Sequence, residues 1–299
     1  MITLPKSIEI VEVGPRDGLQ DEPTVLSTSS KLAYAEAVIA AGIRRIEVAS
    51  FVNPSRVPQM ADAEAMIAGL ADHTDARLIG LVLNDRGLDR ALSTAIPEIN
   101  VVVITTDSFS LANQGMDSAS AMRMATAVVA RAHAAGLRTG VTVSAAFGCP
   151  YEGEVPPARV LDIAQAIADA GADEISLADT IGSAVPTRTE ELVAAVLAST
   201  ALPVRVHFHN SRNTGLANAV AAIGAGATAL DASTGGIGGC PFAPKATGNI
   251  ATDDLVYMLE RMGHRTGIDL ATLLPTAAFL GEQLGHEVPA LLPRAGTFP

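Results

Sequence analysis

Short apolar segments alternate with amphipathic segments along nearly the whole chain. The apolar segments are rich in Val and Ile, and the run at 100–105 is almost uninterrupted. Such runs are typical of strands that are buried on both faces of a parallel sheet. The segments between them have apolar residues at helical spacing, with Ser, Thr or Pro at the start and Gly at the end. The pattern therefore predicts repeated strand–helix units.

The pattern predicts eight such units in succession. The strands are expected at residues 8–13, 45–49, 76–83, 100–105, 139–144, 174–177, 204–208 and 228–230. The helices are expected at residues 27–41, 58–70, 85–94, 117–135, 156–170, 186–199 and 214–224. No hairpin interrupts the alternation, so we expect an α/β fold with a closed (β/α)₈ TIM barrel rather than an open sheet. No linker divides the chain, which predicts a single domain over residues 1–299, with the barrel over about 6–250 and C-terminal helices over about 251–290.

Composition narrows the range of partners. The 299 residues are 48% hydrophobic and only 3% aromatic, with no Trp, which argues against an aromatic platform for nucleic acid. The formal net charge of −12 repels polyanions, so we expect neither nucleic acid nor an anionic membrane surface as a partner. A local basic patch remains compatible with a phosphorylated small molecule.

Cysteine usage and the N-terminus bear on location. Two cysteines, Cys149 and Cys240, cannot form a disulfide framework in a chain of this size. The first residues contain no apolar core of signal-peptide length, and no segment is long enough to be a membrane span. We therefore expect a cytoplasmic protein. Separately, we expect a homo-oligomer, either a dimer or larger.

Two polar motifs follow predicted strands. Gly14-Pro-Arg-Asp-Gly-Leu-Gln20 follows the first strand, and His207-Phe-His209 closes the seventh. Side chains at i and i+2 of a strand share a face, so the two imidazoles can point at one position. Asp17 at the same rim would complete three ligands of a metal site with N and O donors. The alternative is a pair of core histidines held by hydrogen bonds, but this spacing at a strand end favours the metal site.

Other polar residues also fall at the C-terminal ends of predicted strands, where TIM barrels have their active sites. They are Glu47, Ser50, Thr105 to Ser108, Cys149, Asp179 and Thr180. The Gly-rich segment 235–239, followed by Cys240, comes after the eighth strand. That position often binds phosphate in TIM barrels, but glycines also permit a mobile lid, and the sequence leaves both interpretations open.

Several motifs resemble the 3-hydroxy-3-methylglutaryl-CoA (HMG-CoA) lyase family, a group of the DRE-TIM metallolyases. They occur in the family's order and cover nearly the whole chain. The motifs are EVGPRDGLQ (12–20), IEVASFV (46–52), VPQM (57–60), GCPYEG (148–153), ISLADTIG (175–182), HFHN (207–210), GGCPFAPKATGN (238–249) and DLVYML (254–259). The segment from 238 to 249 is the most specific, because it separates these lyases from related synthases.

The resemblance implies a reaction and a metal site. The reaction would be cleavage of HMG-CoA to acetoacetate and acetyl-CoA, with a CoA thioester as substrate. The implied metal ligands are Asp17, His207, His209 and Asn249. Two imidazoles, a carboxylate and an amide oxygen suit an octahedral Mg²⁺ or Mn²⁺.

The resemblance also implies catalytic roles. Arg16 would stabilise the enolate oxygen of acetyl-CoA, although a rim Arg can simply form a salt bridge. Asp17 or His207 would relay the hydroxyl proton, and the sequence does not choose between them. Cys240 would protonate the acetyl-CoA carbanion. Glu47 would orient Arg16 or a metal-bound water.

Some of these residues have structural alternatives. Glu47 can instead pair with Arg44 or Arg45, and Cys149 is as compatible with a small packed residue as with a functional thiol. Asp179 can anchor a strand end through hydrogen bonds or touch the substrate. Lys245 is a candidate for binding the CoA phosphates or closing the loop, or it is an ordinary exposed Lys. The remaining histidines, His73, His133, His264 and His286, are expected to face solvent.

The chain departs from the family's pattern at two places near the substrate. Pro23 stands where members commonly carry Lys, and Asn-Gln-Gly-Met (113–116) replaces a common Asn-Ile-Asn-Cys. Neither change touches the metal ligands. A lyase for a related 3-hydroxy-3-alkylglutaryl-CoA or another hydroxyacyl-CoA is therefore an alternative, and a Claisen-type synthase is a further one. A metal-binding scaffold without activity is disfavoured by the combination of Arg16 and Cys240 with the metal residues.

Overall fold

Eight parallel strands form a closed barrel in the computed structural model, which describes residues 7–239 and 248–298. The strands are β1 (Glu9–Glu12), β2 (Arg45–Ser50), β3 (Arg77–Val82), β4 (Glu98–Ile104), β5 (Arg138–Ser144), β6 (Glu174–Asp179), β7 (Val204–Phe208) and β8 (Ala229–Ala232). Each strand pairs with the next in sequence, and β8 pairs with β1 to close the barrel. The predicted (β/α)₈ TIM barrel is confirmed.

Helices surround the barrel. They are α1 (Thr28–Ala40), α2 (Ala63–Gly69), α3 (Asp85–Leu92), α4 (Asp107–Gln114), α5 (Ser118–Ala134), α6 (Pro157–Asp169), α7 (Pro186–Thr200), α8 (Gly215–Ala225), α9 (Thr252–Arg261), α10 (Leu270–Leu284) and α11 (Leu292–Ala295). Ser27, Asn84 and Asp117 each precede a helix, and each side chain accepts a hydrogen bond from a backbone N–H of the first turn. These caps fix the starts of α1, α3 and α5.

Two helical segments differ from the sequence prediction. The helix predicted over 58–70 is divided into a short 3₁₀ turn, Pro58–Met60, and α2. Helix α4 was expected as part of a loop; it begins after Thr106 and ends at Gly115, which adopts a left-handed conformation. Its eight residues are too few and too polar to show a clear apolar period. Because α4 carries Phe109 and Asn113, it contributes to the wall of the cavity described below.

A buried layer of charges fills the N-terminal end of the barrel. Arg45 pairs with Glu98 and with Glu174, and its Nη1 lies 2.9 Å from Glu174 Oε1. Arg205 continues this network, with its Nε 3.1 Å from Glu174 Oε2 and its Nη1 3.1 Å from Asp231 Oδ1. All five side chains are at most 5% exposed. Buried ionised groups need such pairing, because an unpaired charge is costly in a low dielectric.

The expectation that His264 faces solvent is wrong, since His264 is only 3% exposed. The backbone turns back after α9 at Gly263, and Arg265 forms a bridge with Ser7 near the start of β1. This bridge holds the turn that carries His264 beside the N-terminal segment. His133 and His286 are exposed, and His73 is half-buried. Among the described residues, no helix combines the length and apolarity that a membrane span requires.

Candidate metal centre and active site

A cavity of about 530 Å³ opens at the C-terminal end of the barrel. Its lining includes the polar residues Arg16, Asp17, His207 and His209 and the apolar residues Leu81, Leu83, Val102, Ile104 and Phe109. The strand ends of a TIM barrel converge here, so residues from distant parts of the sequence share one space. A cavity of this size and mixed lining suits a small organic acyl group.

Three side chains meet at one point of the cavity. Asp17, His207 and His209 each offer one donor atom, and these atoms lie within 4.8 Å of one another. The carboxylate Oδ2 of Asp17 is 3.9 Å from Nε2 of His207. The structure thus brings together the three residues whose spacing in the sequence predicted a metal site.

Asn249 lies beside these residues. The segment after the eighth unit pairs with the end of β7, and an isolated bridge places Asn249 opposite His209. The Asn249 side-chain amide donates to Asp17 Oδ2 at 2.9 Å. The arrangement brings all four residues of the implied ligand set into one group.

The donors in this group fit a divalent cation. Oδ1 of Asn249 and Nδ1 of His209 are both buried, and neither has a hydrogen-bond partner among the described residues. Leaving buried polar atoms unsatisfied is costly, and a cation would compensate them. One carboxylate, two imidazoles and an amide oxygen are ligands that Mg²⁺ and Mn²⁺ accept.

The surroundings of Asp17 and His209 favour the protonation states that a cation requires. Burial opposes ionisation of Asp17, but the charge of Arg16, the two imidazoles and the hydrogen bond from Asn249 together outweigh it and hold the pKa of the carboxyl well below its usual range. Burial, together with the neighbouring His207, lowers the pKa of His209 to about 4, so His209 is neutral near pH 7. Burial also opposes protonation of His207, but its hydrogen bond to Asp231 and the charge of Asp17 raise its pKa.

Arg16 is fixed between two carboxylates. Its Nε donates to Glu47 Oε2 at 2.8 Å, and its Nη1 donates to Asp17 Oδ1 at 2.7 Å. Glu47 therefore contacts Arg16, whereas Arg44 and Arg45 pair with other carboxylates. This arrangement holds the guanidinium at the cavity wall next to the candidate metal ligands.

Glu12 joins the two loops that carry the site. Its carboxylate accepts from the backbone N–H of Gly14 at 2.9 Å, which fixes the turn that holds Arg16. It also accepts from Thr234 N, Thr234 Oγ1 and Thr252 Oγ1, at 2.7–2.8 Å. Tyr34 supplies a further hydrogen bond at 2.9 Å. Thr234 and Thr252 flank the segment that contains Cys240, so one buried carboxylate holds both ends of that segment.

The sequence reasoning missed Glu12 and Asp231. Glu12 lies in the first predicted strand, and Asp231 directly follows the predicted eighth strand. Carboxylates within or beside such buried apolar runs are rare unless they have partners, which is the signal that could have identified both. The role of Arg205 could not be foreseen, because its partners come from other strands.

Two other residues singled out in the sequence, Cys149 and Asp179, make contacts that stabilise the fold. Cys149 is 3% exposed, and its sulfur lies 3.0 Å from Thr106 Oγ1, which shows a small packed side chain. Asp179 accepts hydrogen bonds from the backbone N–H groups of Ser183 and Ala184, and so anchors the turn after β6. Cys240 and Lys245 lie outside the described residues.

The barrel and the site define a TIM-barrel protein of enzyme type with a candidate metal centre. The HMGL-like family model matches residues 7–280. The chain is 42% identical to an (R)-citramalyl-CoA lyase of Chloroflexus aurantiacus, over 97% of this chain and 95% of that protein. The chain belongs to the HMGL-like family.

Solved structures agree with this assignment. The structure of the HMG-CoA lyase of Bacillus subtilis superimposes with a TM-score of 0.94 at 38% identity, covering 98% of both chains. An HMG-CoA lyase from Acinetobacter baumannii, in complex with coenzyme A and 3-methylmalate, superimposes with a TM-score of 0.93 at 38% identity, covering 98% of this chain and 96% of that one.

Proposed function

We propose that this protein is a divalent-metal-dependent carbon–carbon lyase that cleaves HMG-CoA to acetoacetate and acetyl-CoA. The observation that carries the proposal is the placement of Arg16 beside Asp17, His207 and His209 in one cavity. The cleavage needs a group that takes the proton from a tertiary alcohol and a cation that stabilises an enolate. This cavity contains candidates for both.

Asp17, His207, His209 and Asn249 would hold Mg²⁺ or Mn²⁺. When bound, the cation supplies Lewis acidity that lowers the pKa of the substrate's hydroxyl group. The proton of that hydroxyl passes to Asp17 or to His207, which lie at the same point of the cavity. As the alkoxide becomes the ketone of acetoacetate, the bond between C2 and C3 breaks and its electron pair remains on C2.

Arg16 stabilises the product of this cleavage. The electron pair on C2 is delocalised onto the thioester oxygen as an enolate, and a guanidinium donates hydrogen bonds to such an oxygen. Glu47 and Asp17 hold the guanidinium before the substrate arrives, so little reorganisation is required. Glu47 in this role orients Arg16.

Cys240 completes the reaction as the acid that protonates C2 and gives the methyl group of acetyl-CoA. A thiol is largely protonated near pH 7, which suits an acid. Gly239, the residue directly before Cys240, lines the cavity, which supports this role for Cys240.

A second candidate substrate is citramalyl-CoA. The relative at 42% identity acts on the R form of it. Both thioesters carry a hydroxyl and a methyl group on C3, and their free carboxylates differ in position by one methylene group. Pro23 stands where members of the family commonly carry Lys, so this chain lacks a cation that they have near the substrate. Cleavage of citramalyl-CoA by the same steps would give pyruvate and acetyl-CoA.

Coenzyme A in the complex of the Acinetobacter relative supports a CoA thioester as the substrate class. Lys245 in the segment after Cys240 is a candidate for the CoA phosphates. The cytoplasmic location and the homo-oligomeric state are further parts of the proposal, and light scattering of the purified protein tests the oligomeric state.

A substrate panel tests the reaction. Purified protein with Mg²⁺ is incubated with HMG-CoA and with both enantiomers of citramalyl-CoA, and acetoacetate, pyruvate and acetyl-CoA are measured. We expect acetoacetate from HMG-CoA; pyruvate from citramalyl-CoA with no acetoacetate would assign the second candidate. A reaction of acetyl-CoA with 2-oxo acids would indicate a synthase, and no turnover of any thioester would contradict the lyase assignment.

A further inference from the structure

Asp231 faces His207 across the pair of strands β7 and β8. The two residues are direct partners in the strand register. Oδ2 of Asp231 lies 3.2 Å from Nδ1 of His207, and its Oδ1 lies 3.1 Å from Nη1 of Arg205. The Asp231 and Arg205 side chains are at most 5% exposed, and that of His207 is 11% exposed. Each carboxylate oxygen of Asp231 therefore has its own fixed partner.

This contact determines the tautomer of His207. An ionised carboxylate only accepts hydrogen bonds, so the proton between the two residues belongs to Nδ1 of the imidazole. In a neutral ring, Nε2 then has no proton and presents a lone pair. Nε2 is the atom that lies 3.9 Å from Asp17 Oδ2, on the side of the candidate metal ligands.

Arg205 prevents Asp231 from turning away. The guanidinium is itself fixed by Glu174 Oε2, 3.1 Å from its Nε, within the charged layer of the barrel. His209 provides a contrast, because its buried Nδ1 has no hydrogen-bond partner among the described residues. The contact with Asp231 therefore orients the imidazole of His207, whereas no such contact at Nδ1 orients that of His209 among the described residues.

We propose that Asp231 is a positioning residue: it holds His207 in the Nδ1–H tautomer, so that Nε2 is free to bind the divalent cation. Carboxylates commonly orient metal-binding imidazoles in this way. The inference rests on the proposed metal site, but it is independent of which thioester is cleaved.

The Asp231→Asn variant tests the tautomer. Arg205 donates to the amide oxygen of the new Asn, which leaves its NH₂ group facing His207 Nδ1. The imidazole must then accept at Nδ1 and carry its proton on Nε2, where the proton blocks the metal. The Asp231→Ala variant removes the carboxylate without imposing this tautomer.

We expect Mn²⁺ affinity, measured by calorimetry without substrate, to decrease from wild type to Asp231→Ala to Asp231→Asn. The loss in Asp231→Asn should be about 10- to 100-fold or more, the usual effect of removing such a partner. Asp173→Asn is the matched control, because Asp173 lies before β6 at the opposite end of the barrel and accepts from Thr139 N. That variant should bind Mn²⁺ like wild type.

A second measurement reports the tautomer of His207 directly, without relying on metal affinity. ¹⁵N NMR of the metal-free protein, recorded at a pH high enough to leave His207 neutral, reports which nitrogen of each imidazole carries the proton, and we expect Nδ1–H for His207 in wild type and Nε2–H in Asp231→Asn. An affinity of Asp231→Asn equal to or above that of Asp231→Ala would overturn the proposal. If Asp231→Asn does not fold, the wild-type spectrum decides, since an Nε2–H tautomer of His207 there also overturns it. Because neither measurement involves turnover, failure of the substrate panel leaves this test unaffected.

Discussion

The two cysteines share a Gly-Cys-Pro context but differ in the sequence that precedes it. Cys149 is packed at the end of β5, where its sulfur contacts Thr106 and accepts from the backbone N–H groups of Tyr151 and Glu152. A side chain held in this way cannot move to a reacting carbon. Cys240 follows a run of glycines, which permits the large backbone changes that an acid on a closing loop requires.

This difference gives a prediction with an internal control. Cys240→Ser preserves the shape of the side chain but raises the pKa of the acid, so kcat should fall by about 10²-fold or more, with KM and metal affinity little changed. Cys149→Ser should retain most activity, since a hydroxyl can replace the thiol in its contacts. Steady-state kinetics of both variants makes the comparison. Normal turnover by Cys240→Ser would show that another group is the acid.

At the scale of single residues, the sequence predicted the grouping of Asp17, His207 and His209 better than the residues that support it. The i, i+2 spacing of His207 and His209 follows directly from strand geometry. Asp231 could not be assigned to His207, because their pairing depends on the register between two strands. The burial of His264 was not predicted; its neighbour Arg265 pairs with the distant Ser7, a contact that the sequence pattern does not indicate.

At the scale of elements, the junction between β1, β8 and α9 connects the site to the barrel. Glu12 holds this junction, and Asp253 adds a second buried carboxyl, whose Oδ2 accepts from Gly235 N at 2.7 Å. Burial raises the pKa of Asp253 to about 7, and the nearby Glu12 contributes in the same direction. Asp253 therefore retains its proton in the folded protein at pH values where the unfolded chain has lost it.

This shift predicts how stability depends on pH. The stabilisation from protonated Asp253 is fully present below the unfolded pKa of about 4 and is lost as the pH rises through about 7. Relative to Asp253→Asn, which cannot ionise, the free energy of unfolding of the wild type should fall by on the order of 2–4 kcal/mol between about pH 4 and about pH 8. Urea denaturation of both proteins at several pH values measures this change in the free energy of unfolding. A difference between the two free energies that does not vary with pH would contradict the raised pKa of Asp253.

The strands and helices were predictable from the sequence where the spacing of apolar residues was clear. The eight strands follow from continuous apolar runs, and the long helices α5, α6 and α7 begin and end close to the predicted positions. Helix α4 and the division of segment 58–70 were missed, because short elements are fixed by tertiary contacts rather than by their own period. These two segments contribute Phe109, Asn113 and Gln59 to the cavity wall, so the shape of the substrate site was the least predictable part.

At the scale of the whole molecule, the two ends of the barrel contain different groups of charged residues. The N-terminal end is filled by the paired charges of Arg45, Arg205, Glu98 and Glu174, and the C-terminal end contains the open cavity. Asp231 connects the two ends. The net charge of −12 favours an active site that attracts cations and binds an anionic thioester through local contacts only.

The account depends on a cation at Asp17, His207 and His209, and metal removal tests it most directly. Acetyl-CoA release from HMG-CoA, or from the thioester that the panel identifies, is measured before chelation, after exhaustive chelation, and after Mg²⁺ or Mn²⁺ is returned. The same assay is applied to His209→Ala and to the control His133→Ala, which alters an exposed residue of α5. We predict that activity disappears with the chelator and returns with the metal, that folded His209→Ala stays inactive, and that His133→Ala behaves as wild type. Full activity after exhaustive chelation would contradict the account.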